Sequence, residues 1–278
     1  MRLIRVIQEP GTPLFLSIVI CTHDKAQPGR LFVFMFVLLP PAAIRRRLFL
    51  SKPYSAVRKT FTLSLLLLCL SFGAWAQTYT VTIETTEGDI VLSLYDGTPK
   101  HRDNMVKLCR EKFFDSTLFH RVIPNFVIQG GDPNSKRAAA GVQLGDGDVG
   151  YRVPAEIMPD KYSHKRGAVG AARDQNPDKS SSGCQFYIVT GKKYTDAELV
   201  SAAARANTTF TEAQKAVYKA EGGTAFLDNG YTVFGEVIKG MDVADKIAAA
   251  ARNGADRPNK DIRMLKVRVK KKKRFLLF

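Results

Sequence analysis

Cysteine is scarce in this chain of 278 residues: Cys21 and Cys69 stand ahead of position 77, and Cys109 and Cys184 behind it. No CxxC pair and no Cys/His cluster at metal-ligand spacing occurs, which excludes a disulfide scaffold and a zinc module. The two later cysteines are expected to be unpaired thiols in small core positions, although sequence alone leaves a bond between them open. Acidic residues are outnumbered, 26 against 42 Lys and Arg, for a net charge of +16. The excess is not spread evenly. Residues 1–76 carry +8, the stretch 266–274 holds seven basic residues and no acid, and the body from 77 to 265 is only +1. A body so nearly neutral lacks the broad basic face that phosphate backbones require, so no nucleic-acid partner is expected.

Long apolar runs are also missing where a membrane anchor would need one. The predominantly apolar run 61–72 spans about twelve residues, interrupted by Thr62, Ser64 and Ser71, short of the roughly twenty that cross a bilayer. Lys52, Arg58 and Lys59 precede that run, and Ala74-Trp75-Ala76 follows it with the small-x-small pattern of a signal-peptidase site. Residues 51–76 are therefore expected to be a signal peptide whose removal leaves Gln77 as the new terminus, placing the mature protein outside the cytoplasm, in the periplasm. Residues 1–50 fit no domain. No Met occurs between Met35 and Met105, and Arg45, Arg46 and Arg47 separate two apolar stretches. This segment is taken as over-extended translation or an unusual leader.

From position 77 the pattern becomes regular. Tyr79, Val81 and Ile83, then Ile90, Leu92 and Leu94, alternate as two half-buried strands around a turn at Thr86-Glu87-Gly88-Asp89. Pro99 opens a helix with Met105, Val106 and Cys109 on one face, ending near Phe113. Residues 118–128 read as strand broken at Pro124-Asn125, and the Gly- and Asp-rich stretch 130–152 as loop. Strands are expected at 167–172, 185–190, 231–237 and 264–269, with a helix at 241–251. Between the strands lies an insertion, residues 192–223. Thr195 with Glu198 and Thr211 with Gln214 each spell a capping box, and Gly222-Gly223 stops the second helix. Many short strands, few helices and no βαβ rhythm favour a mainly β fold, a closed antiparallel barrel with a small helical insertion.

Three blocks carry chemistry: the run of residues 119–132, FHRVIPNFVIQGGD; Ser182-Gly183-Cys184-Gln185-Phe186-Tyr187-Ile188; and Phe226-Leu227-Asp228 with Tyr231-Thr232-Val233-Phe234-Gly235. In this order they resemble the cyclophilin-type peptidyl-prolyl cis-trans isomerases, over roughly residues 79–270. The resemblance implies that the closed antiparallel barrel has eight strands and is capped by helices, with the site on its outer face. Rotation about an X-Pro bond meets a barrier of about 18–20 kcal/mol, because the amide nitrogen shares its lone pair with the carbonyl. A guanidinium near the prolyl nitrogen can hydrogen-bond the lone pair that twisting releases. By resemblance that group is Arg121, with Phe126 and Gln129 completing the catalytic set and Gln129 orienting the guanidinium or the substrate carbonyl. The proline slot is implied to be Phe126, Val127, Tyr187 and Leu227, with Phe226 and Tyr231 at its rim and Ala172 and Gln185 holding the peptide backbone. No metal or cofactor enters such a mechanism. Uncatalysed isomerisation takes about 10 to 100 s, so turnover near 10 per second asks for at least about a hundredfold acceleration, roughly 3 kcal/mol or more.

The chain departs from the better-known eukaryotic pattern at Phe226 in place of Trp, Tyr231 in place of His, and Arg173 in place of the Asn after Ala172. Alternation on the strand turns His120 away from Arg121, toward a structural hydrogen bond. His101 and His164 are expected to face solvent. The insertion lies outside the common core, as a decoration or a determinant of partner choice. The tail, basic and then Phe275-Leu276-Leu277-Phe278, suits a solvated end or weak contact with an anionic membrane surface. The expected partner is a proline-containing folding polypeptide and the expected state a monomer. The competing function is a proline-segment binding chaperone or assembly factor that needs no turnover.

Overall fold

A computed structural model describes residues 77–273; the expected leader, the expected signal peptide and the end of the tail lie outside the described residues. Strands β1 (Gln77–Thr85) and β2 (Gly88–Leu94) form the hairpin that the alternation predicts. Val81 pairs with Leu92 and Ile83 with Ile90, and all four side chains are fully buried. Helix α1 (Pro99–Arg110) begins with Pro at its first turn, but Thr98 caps nothing with its side chain. The Glu156 carboxylate instead accepts the N–H groups of Lys100 and His101, each at 3.0 Å, satisfying helix donors from 55 residues away.

The Pro124-Asn125 turn separates β3 (Phe119–Ile123) from β4 (Val127–Gly130), with Asn125 in the left-handed region at φ 59°. Then follow β5 (Arg152–Val153), β6 (Ala168–Ala171), β7 (Ser181–Ser182) and β8 (Phe186–Val189). The insertion supplies α2 (Asp196–Ala206) and α3 (Glu212–Ala220), and both capping boxes form as the sequence spells them. Strand β9 (Val233–Lys239), helix α4 (Met241–Ala248) and strand β10 (Met264–Lys273) complete the order.

Eight strands make one antiparallel sheet in the order β10-β1-β2-β9-β6-β8-β4-β3; β5 and β7 pair separately. The fully closed barrel expected from the sequence is corrected here: the sheet curls but stays open between its edge strands β10 and β3. That seam carries one isolated bridge, Leu118 to Arg263, flanked by Phe119 N–H to Ile262 C=O at 2.9 Å and Met264 N–H to Thr117 C=O at 2.8 Å. A five-residue β3, bulged between Phe119 and Arg121, is too short to sustain a ladder on that side. Inside the curl, the hairpin residues pack with Val122, Ile128, Phe186, Ile188, Met105 of α1 and Ile247 of α4. Cys109 and Cys184 are both buried free thiols, as the unpaired reading expects, and burial pushes them up to about 12 and about 11.

Candidate active site

Because strand side chains alternate, each residue buried inside the curl has a neighbour on its outer face. Ile128, Phe186 and Ile188 belong to the interior, whereas Val127, Tyr187, Val189, Ala168 and Val233 form a second apolar cluster, over which Phe126, Ala172, Leu227 and Tyr231 lie half-buried. Of the expected slot and rim residues, Phe126, Val127, Ala172, Tyr187, Leu227 and Tyr231 thus come together in one patch. Gly170, opposite Tyr187 in the ladder, makes room for it: a Cβ there would sit 2.2 Å from the phenol ring.

Arg121 and Gln129 face each other across β3 and β4. They are not hydrogen-bonded. Gln129 donates to Gln185 Oε1 at 3.1 Å, and the nearest acid to Arg121 is Asp256, 3.9 Å from its Nε. The guanidinium lies 5.8 Å from the Phe126 ring centroid and donates no hydrogen bond among the described residues. The expected backbone holders are also arranged differently. Gln185 is buried and spends its amide on Gly145 C=O (2.7 Å) and Gly147 C=O (2.9 Å), which makes it a support for Gln129 and the loop. Ala172 gives its N–H to Gln185 C=O and its C=O to Ser182 N–H, so it offers only its methyl face. The next residue, Arg173, has backbone groups without partners among the described residues; its side chain donates to Gly230 C=O at 2.9 Å and lies 4.7 Å from the Tyr231 centroid. Next to this edge a cavity of about 330 Å³ opens between the 145–148 loop and the Arg152–Asp174 ion pair.

Phe226 stands apart from the slot cluster, packing against the insertion core of Tyr194, Leu199, Phe210 and Tyr218. It nevertheless reaches the slot, stacked on Phe126 with centroids 5.6 Å apart and planes 19° from parallel.

The histidines overturn three expectations. His164 is buried: its backbone N–H and Nδ1 meet Asp228 Oδ1 at 2.8 and 2.7 Å, and its Nε2 meets the Tyr187 hydroxyl at 2.9 Å. With Nδ1 donating to the carboxylate, Nε2 is left to accept the Tyr187 O–H. The other oxygen of Asp228 accepts Tyr218 O–H at 2.5 Å, so one chain of polar contacts runs from the insertion to the slot floor. Burial raises the Tyr187 phenol well above its ordinary value. His101 is buried between Glu156 (2.7 Å) and Ser181 (3.0 Å); this resembles a Ser-His-acid triad, but Ser181 is 1% exposed and no substrate reaches it. His120 does turn inward, yet neither ring nitrogen has a hydrogen-bond partner, and desolvation lowers it to about 4.

A family model of the cyclophilin type peptidyl-prolyl cis-trans isomerase matches residues 80–269, more than half of the chain. The chain belongs to the cyclophilin-type peptidyl-prolyl cis-trans isomerase family. It is 33% identical over 190 residues to the peptidyl-prolyl cis-trans isomerase cypE of Dictyostelium discoideum, covering 67% of this chain and 95% of that cyclophilin. A probable peptidyl-prolyl cis-trans isomerase of Brucella suis is 34% identical over 183 residues, covering 63% and 76% of the two chains. Against two other curated relatives the chain spans only 37% and 24% of their length. A crystal structure of a Cryptosporidium parvum cyclophilin type isomerase shares the fold, with a TM-score of 0.52 at 21% identity, covering 69% of this chain and 98% of that one.

The sequence blocks hold most residues of this apolar patch, but not all the groups that anchor its surroundings. Asp256 lies 135 positions from Arg121 in an irregular loop that no periodicity marks. Asp228 stood inside a recognised block beside Leu227, so a buried role for it was the available signal.

Proposed function

We propose that this cyclophilin accelerates cis-trans rotation of X-Pro bonds in polypeptides that fold outside the cytoplasm, acting non-covalently and as a monomer. The observation that carries the reading is a guanidinium with unspent donors at the edge of an apolar slot. A proline ring fits over Val127 and Tyr187, between Phe126 and Leu227, which leaves the prolyl nitrogen facing Arg121. As the amide twists, its nitrogen regains a lone pair, and an Arg121 N–H donates to it; the untwisted amide offers no such acceptor, so the bond favours the transition state alone. Asp256 and the Phe126 ring limit where the guanidinium can go, while Gln129, anchored through Gln185, keeps its own oxygen free to accept a peptide N–H. The partnerless backbone of Arg173 suits an extended peptide laid beside it. The monomer reading rests on the completeness of this site within one chain, and export rests on the composition of residues 51–76.

Exchange spectroscopy by NMR on an Ala-Pro peptide tests the activity, with acceleration of at least about a hundredfold expected. Binding of the peptide without acceleration would replace the enzyme with a proline-segment binding module. N-terminal sequencing of the exported protein tests the location, Gln77 being the residue expected first.

A further inference from the structure

We propose that helix α2 of the insertion adds a subsite to the proline slot, in which Arg205 and the Phe226 ring select polypeptides carrying a carboxylate side chain near the proline. The inference rests on the isomerase reading and names the substrate class of that same site.

Its basis is a continuous row of side chains. The Arg205 guanidinium lies 4.2 Å from the Phe226 centroid, Phe226 stacks on Phe126 at 5.6 Å, and Arg121 lies over Phe126 at 5.8 Å. The aromatic wall of the slot therefore continues onto the insertion without a break and carries a cation at either end. Beside it a groove of about 360 Å³ runs along α2, with Tyr194 and Phe226 as its aromatic sides and Ala197, Ser201 and Ala202 keeping it open. The small residues matter, because positions 197, 201 and 205 share one helix face, and larger side chains at the first two would fill the space before Arg205.

Charge then decides the occupant. Lys192 and Glu198 also line the groove, but they pair at 2.5 Å, and Glu198 additionally closes the α2 capping box through Thr195. Their charges cancel. Arg205 is exposed and has neither an ion pair nor a hydrogen bond among the described residues, only its stack on Phe226. A guanidinium seated over an aromatic ring keeps its N–H groups available, and their fork is matched by the two oxygens of a carboxylate and not by an ammonium or amide.

The test uses peptides with one Ala-Pro bond and Glu, Gln or Lys at each of the three positions before and after it, followed by exchange NMR, which needs no coupling protease. At one position or more on one side of the proline, the Glu peptide should exceed the Gln peptide in kcat/KM by about three- to tenfold, with Lys lowest. Arg205→Ala should bring the Glu/Gln ratio to about one and Arg205→Lys should leave it intermediate. Lys193→Ala, an exposed cation outside the groove, should preserve it. Equal rates for Glu and Gln at every position, or a ratio that survives Arg205→Ala, would overturn the subsite. If no peptide is accelerated, the isomerase reading fails instead, and the ratio of the peptides' Kd values decides the subsite by the same criteria.

Discussion

Replacing Tyr218 by Phe removes one oxygen atom from the centre of the polar chain that ties the insertion to the slot floor. Tyr218 is fully buried, and its hydroxyl donates to Asp228 Oδ2 at 2.5 Å. Asp228 is itself buried, its other oxygen already engaged by the backbone N–H and Nδ1 of His164. The phenylalanine ring would keep the aromatic packing against Tyr194 and Phe210, whose centroids lie 5.8 and 5.6 Å away. What is lost is a hydrogen bond to a carboxylate, worth about 1.5–3 kcal/mol, with a buried acceptor left short of its donor. The expected destabilisation is about 2 kcal/mol. For a domain of this size that lowers Tm by roughly 4–8 °C. Urea unfolding followed by circular dichroism measures it, with Tyr231→Phe as the reference, since the Tyr231 hydroxyl has no hydrogen bond among the described residues. A Tyr218→Phe loss below about 0.5 kcal/mol, the scatter of ordinary surface substitutions, would refute the argument that this contact binds the insertion to the fold.

Two further outcomes follow from the site's surroundings. Burial depresses His120 in the folded state to about 4, opposed by Asp132 and reinforced by Arg121 and Arg257, whereas the unfolded chain titrates near 6.5. As pH falls, the unfolded chain therefore takes up this proton first, so the stability His120 permits is complete above about pH 6.5 and lost toward pH 4, to a ceiling of about 3 kcal/mol. Urea titrations at pH 7 and pH 4.5 should show a smaller drop for His120→Gln than for the wild type; identical drops would contradict the burial argument. Gly170→Ala places a Cβ 2.2 Å from the Tyr187 ring, which should cost about 1–3 kcal/mol by overpacking and raise KM for proline peptides as the ring shifts into the slot. An alanine variant with unchanged Tm and KM would show that the ring has room elsewhere.

Local signals in the sequence were the legible ones. The hairpin alternation, Pro99, the break at Pro124-Asn125 and both capping boxes each depend on residues within a few positions of one another, and each formed where expected. The shared outer face of Val127 and Tyr187 was legible because alternation fixes which side of a strand each residue takes, whereas Phe126 joins them from a turn and Leu227 from a short 3-10 helix. What failed was long-range or competitive. The sheet's open seam depends on how many residues β3 and β10 can pair once the bulge at Phe119 is in place. The sequence around His101 and His164 reads as solvent-facing because their partners, Glu156, Ser181, Asp228 and Tyr187, are 23 to 80 positions away. Nothing local in the sequence marks that the hydrogen bonds of Gln185 and Ala172 are spent on Gly145, Gly147, Ser182 and each other. The two-residue strands β5 and β7 are too short to show any period.

The proposed catalysis rests on Arg121. Exchange NMR on an Ala-Pro peptide, with wild type and Arg121→Ala compared after circular dichroism has shown the same fold for both, isolates its contribution. An oriented donor used only in the transition state is worth about 2.7–4 kcal/mol, so kcat/KM should fall about 10² to 10³-fold in the variant. A folded Arg121→Ala variant within twofold of the wild type would contradict the assignment of catalysis to this guanidinium.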